Sequence, residues 1–222
     1  MTREPASVRA PGVWDASGRY NDHWRPNVRL LALTIAAGVL VGTAGWASDQ
    51  GPRLLDWAGA IAAGWLIGAF AVGALAGDAR RAALAGAGTM VVGVTTYYAL
   101  FHPMRGLLLA VIVGWSAVGI GVGAAFGWAG DAWRRRRAQA AGVALLAGAL
   151  AGEAILLLGH WHEHAARLVL AAELALGAAL PYLLAKPKLA RAVPLSAAVA
   201  VAVVAVEPGV REAMRAAGWS GA

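Results

Sequence analysis

Cysteine is absent, and charged residues make up only 14% of the 222-residue chain. The first absence excludes disulfides, thiol nucleophiles and cysteine metal sites. The second sets the chain apart from soluble domains, in which about 25% of residues are charged. No glycine-rich phosphate loop with Lys and Ser or Thr occurs, so nothing marks a nucleotide site. No aspartate-rich cluster is present to hold magnesium on a diphosphate, so diphosphate ionisation has no apparatus. No nucleophilic serine motif occurs either: Ser116 stands alone inside an apolar run, where a hydroxyl usually bonds back to its own helix. No motif calls for a cofactor or a metal.

What fills the chain is apolar sequence, 59% of all residues. Seven stretches of bilayer length follow one another, at about 28–47, 55–77, 82–101, 106–130, 138–159, 164–184 and 189–207. They are continuous Ala, Leu, Gly and Val runs, not alternating ten-residue segments, which argues for helices over a membrane barrel. The expected fold is therefore all-α, a polytopic transmembrane bundle of about seven spans over residues 28–207, with polar tails at 1–27 and 208–222. The seventh span is the shortest, and Pro194 lies inside it. The first 27 residues are polar and Arg-bearing, without a short apolar run ending in a small-residue cleavage site, and read as a cytoplasmic tail.

Orientation follows from the basic residues. With the N-terminus inside, cytoplasmic segments hold Arg3, Arg9, Arg19, Arg25, Arg29, Arg80, Arg81, Arg134 to Arg137, Lys186, Lys188 and Arg191, which is 14 of the 19 Lys and Arg. The outside holds Arg53, Arg105, Arg167, Arg211 and Arg215, the remaining 5. The bias sets topology and places the chain in the cell's inner membrane, with the lipid bilayer as its partner. The net charge of +7 thus reads as loop anchoring and contact with anionic lipid, with no nucleic-acid role.

A weak internal repeat is visible. Gly64-Trp65 leads through Gly68 and Gly73 to Ala76-Gly77-Asp78-Ala79 and Arg80-Arg81; Gly114-Trp115 leads through Gly119 and Gly123 to Ala129-Gly130-Asp131-Ala132 and the arginine run. A duplicated helical hairpin accounts for it. Glycines at this spacing also let backbones approach closely, where lipid supplies no hydrophobic drive.

Two carboxylates fall within spans. Glu153 is six residues from the outer end of the fifth span and Glu173 nine residues into the sixth, about 9 and 13 Å deep by helix rise. Consecutive antiparallel spans put them at nearly the same level of the outer half. A charge there costs at least about 2.5 kcal/mol on insertion scales, so each must be protonated, paired or facing a wet cavity. The functional reading is a proton donor or carrier; the plainer one is a structural acid bonded within the bundle. Aromatic residues gather at that level: Trp57 and Trp65, Tyr97 and Tyr98, and Trp115. Trp57, Tyr97 and Tyr98 also suit an interfacial belt, whereas Trp65 and Trp115, roughly 14 Å in, lie too deep for one and are core packing or pocket walls. In His160-Trp161-His162-Glu163-His164, a continuous helix would put His160 and His164 on one face, as zinc ligands sit. The segment joins two spans, so a loop is expected, with His160 passing protons to Glu153.

The run from Trp65 through Tyr98, with its Gly-rich helix, Ala-Gly-Asp-Ala-Arg-Arg turn and Thr-Thr-Tyr-Tyr, and the run from Gly127 to Glu153 together resemble a family of small actinobacterial multi-spanning proteins known mainly as a domain of unknown function. In size, span number, buried acids and deep tryptophans the chain is also similar to the small integral-membrane terpene cyclases of secondary metabolism. That second resemblance implies cyclisation of an apolar isoprenoid substrate, begun when a membrane-buried carboxylic acid protonates an epoxide or alkene. Glu153 or Glu173 would be the catalytic acid, and Trp57, Trp65, Tyr97, Tyr98 and Trp115 would line the pocket, their π faces steadying the carbocation. Two other readings stand beside it: a small proton-coupled transporter or substrate-binding membrane subunit, and a structural or assembly protein.

Overall fold

The computed structural model describes residues 25–49, 62–101, 107–136, 138–160 and 162–216. Among these residues every regular element is helical: α1 Arg25–Asp49, α2 Ala63–Leu75, α3 Ala79–Phe101, α4 Leu107–Arg134, α5 Gln139–Leu158, α6 His164–Leu184 and α7 Leu189–Ala216, with a 3-10 turn at Lys186–Lys188 before α7. Six of them are long and apolar enough to cross a membrane; α2 is a shorter apolar helix. The fold is a polytopic helical bundle, and the chain is a multi-pass membrane protein.

Its surface is inverted relative to a water-soluble domain. Large apolar side chains point outward, among them Leu40, Leu109, Leu183 and Val201. The interior is built largely from small residues, with Ala69, Ala82, Ala129, Val143 and Ala147 fully buried beside Leu150. This arrangement suits hydrocarbon as solvent, in which helix association depends on close backbone packing. α5 is the most enclosed long helix, with 61% of its span buried against 33% or less for the others.

Close approach comes from glycine. A side chain on Gly73 would run into the backbone of Gly127, so α2 and α4, the two glycine-rich helices of the internal repeat, pack directly on each other. α6 lies against α5 at Gly177, where an added Cβ would be 2.8 Å from the Ala147 carbonyl oxygen.

Two boundaries differ from the sequence reading. Of the second expected stretch, residues 62–77 are described, and only 13 of them are helical. At 1.5 Å per residue that helix is about 20 Å long, less than the hydrocarbon thickness. α7 continues to Ala216, past the expected end at 207, and carries both Pro194 and Pro208. Each proline removes one backbone donor without ending the helix.

Candidate functional site

α5 and α6 are antiparallel neighbours joined by a short turn, and this brings Glu153 and Glu173 together. Glu173 is 7% exposed even with no lipid around the chain, so it faces the bundle interior. Both of its carboxyl oxygens, and Glu153 Oε2, are buried away from any backbone donor. The group beside Glu173 is the Glu153 carboxyl, close enough for the two to interact. Glu153 Oε1 in turn accepts the backbone N–H of Ala62, the residue that caps the start of α2. A helix start leaves several N–H groups unpartnered and carries partial positive charge. The 91 residues between Ala62 and Glu153 hid this contact from sequence reasoning; the available signal was an acid at the depth of an apolar helix's first turn.

The aromatic residues form a second cluster. Tyr97 stands edge-on to Trp65, with ring centroids 6.4 Å apart, and to Tyr98, at 4.9 Å. The Tyr97 hydroxyl donates to Asp49 at the end of α1, and the Tyr98 hydroxyl accepts from the Trp115 indole. The Trp65 ring lies against Gly45 on α1 and Gly93 on α3. The structure thus gathers four expected pocket residues at the same end of the bundle as the acids, but engages them with one another. Trp57 lies outside the described residues. Asp49 was missed by sequence reasoning; its signal was an acid closing one apolar run at the level of the Tyr97-Tyr98 pair.

The histidine segment is not a continuous helix: α5 stops at Leu158 and α6 begins at His164. His160 and His164 therefore do not share a helical face. His160 is exposed, and its Nδ1 sits 2.7 Å from the Leu156 carbonyl oxygen, closing the last turn of α5. Among the described residues, no group of three metal-ligating side chains converges.

At the opposite end, the two Asp residues of the repeat line one cavity of about 240 Å³. Each has its own arginine: Asp78 pairs with Arg81 at 3.1 Å and Asp131 with Arg135 at 2.7 Å. The repeated motif therefore pairs each Asp with an arginine three or four residues on.

The architecture defines a class, multi-pass membrane proteins with a paired carboxyl site inside the bundle. The chain belongs to DUF6518, a family of unknown function, which it matches over residues 21–213. No curated protein and no solved structure matches it.

Proposed function

We propose that this protein works by acid chemistry inside the membrane, as an isoprenoid cyclase that starts its reaction by protonating an alkene or epoxide. One observation carries the reading: two carboxyls meet within the bundle, with Glu153 Oε1 engaged by a backbone donor and Glu153 Oε2 and both Glu173 oxygens enclosed at the contact between them. Glu173, with no backbone donor at either oxygen, carries and gives the proton in this reading, with Glu153 at its side. The carboxyl O–H bond breaks, the alkene π pair takes the proton as a new C–H bond, and a carbocation and a carboxylate result. Loss of a proton from the cyclised cation to that carboxylate restores the acid. An apolar substrate reaches such a site from the lipid, and exclusion of water protects the cation. The membrane is taken to be the cell's inner membrane, from the cytoplasmic bias of the basic loops.

A second reading, proton-coupled transport, draws on the placement of the aromatics. Trp65 is turned toward α1 and α3, and Tyr97, Tyr98 and Trp115 are tied to one another or to Asp49, so the carboxyl pair need not serve a carbocation. The deciding experiment incubates membranes holding the wild-type chain with farnesylated and epoxidised isoprenoids and reads the products by mass spectrometry. The cyclase reading expects a cyclic product that Glu173→Gln abolishes while the variant still inserts and folds. Absence of product, together with solute uptake into vesicles driven by a pH gradient and lost in Glu173→Gln, would transfer the site to transport.

A further inference from the structure

We propose that the basic end of the bundle holds the phosphate headgroup of an anionic lipid in a cleft between α4, α5 and α6. This site is independent of the carboxyl pair: Gln139 at its floor is 14 residues before Glu153 on α5, or about 21 Å by helix rise. The cleft, about 360 Å³, is lined by Trp133, Arg134, Arg136, Gln139, Leu183 and Leu184.

Its walls are fixed from several sides. The Trp133 ring packs on Phe70 at 5.7 Å. The Gln139 amide donates to the Leu184 carbonyl oxygen at 2.6 Å, tying the start of α5 to the end of α6. Arg136 sits at φ +59°, a left-handed conformation uncommon outside glycine and an indicator of a constrained position. Its carbonyl oxygen accepts from Lys188 Nζ at 2.7 Å, so the turn is clamped from across the cleft. The nearby Asp131 carboxylate is taken by Arg135. Among the described residues no carboxylate pairs with Arg134 or Arg136, and both are exposed.

The other wall is apolar and open to lipid: Leu183 is 69% exposed, next to an exposed Tyr182. Two arginines, an indole and an apolar, lipid-facing wall lining one cleft match a phosphate joined to acyl chains. Guanidinium groups recognise phosphate oxygens by charge and paired donors, and basic pockets between helices at this membrane face suit anionic headgroups. A free phosphate ion would use the arginines and leave the Leu183 wall without a role.

Native mass spectrometry of the full chain, released from detergent with phosphatidylglycerol or phosphatidylcholine added, tests this. Wild type is expected to retain phosphatidylglycerol at least about tenfold better than phosphatidylcholine. Arg134→Gln with Arg136→Gln should remove that preference, while Arg80→Gln with Arg29→Gln, which deletes the same charge away from the cleft, should keep it. Leu183→Ser should weaken lipid retention. Equal retention of the two lipids, or an unchanged preference in the Arg134 and Arg136 double variant, overturns the proposal. So does displacement of the lipid by millimolar inorganic phosphate with no effect of Leu183→Ser, which assigns the cleft to a soluble anion.

Discussion

Replacing Gly177 with leucine tests whether the α5–α6 contact, and with it the meeting of the two acids, depends on close backbone approach. Gly177 lies one turn after Glu173 on α6. A Cβ there would be 2.8 Å from the Ala147 carbonyl oxygen and 2.9 Å from the Ala151 nitrogen, about 0.6 Å short of the 3.4 Å at which contact becomes ordinary. Both neighbours are backbone, so no rotamer change relieves the clash and α6 must move off α5. Overpacking of this kind costs about 1–3 kcal/mol, and a leucine belongs at the upper end. Against it stands a helix-propensity gain of about 0.8 kcal/mol over glycine. Packing wins, and the net loss is about 2 kcal/mol. For a chain of this size that lowers the midpoint by about 4–8 °C. The assay is thermal unfolding of detergent-purified protein, with Gly121→Leu as the matched control, since nothing lies within 4 Å of a Cβ at Gly121. The control should be unchanged or slightly more stable. Equal midpoints for the two variants would refute the reasoning, because the clash at Gly177 would then carry no energy.

Gln139→Ala should cost about 1 kcal/mol, the loss of one hydrogen bond, since it deprives the Leu184 carbonyl of its donor at the end of α6. The same thermal assay reads it, and an unchanged midpoint would mean that water replaces the amide. Tyr97→Phe removes the bond to Asp49 and should destabilise by about 1–3 kcal/mol, the range for leaving a polar group without its partner. Should Tyr97 instead serve a substrate, the change would lower turnover and leave the unfolding midpoint where it was.

Much of the site was legible before any tertiary contact was known, and for identifiable reasons. The depth of an acid in a span follows from counting residues at a fixed rise, so Glu153 and Glu173 were placed at one level. The antiparallel course of consecutive spans follows from a short connection, so their proximity was foreseeable. Which way a side chain points was not, because each residue turns the helix by about 100° and the sequence marks no sharp polar face in an apolar helix. Trp65 is the instructive case: its ring lies against Gly45 and Gly93, contacts with α1 and α3 that no residue count could assign. The contact between Ala62 and Glu153 was equally hidden, since it joins helices distant in the chain.

The sequence by itself determined the solvent of this protein and its helical class. Long apolar runs can satisfy their backbone groups in lipid only as helices or closed barrels, and basic loops orient them. The tertiary structure alone decided that α2 is short, that α7 runs on to Ala216, and which helix faces meet. Those outcomes depend on where glycine permits backbones to touch, as at Gly73 against Gly127, a property of two helices together that neither carries alone.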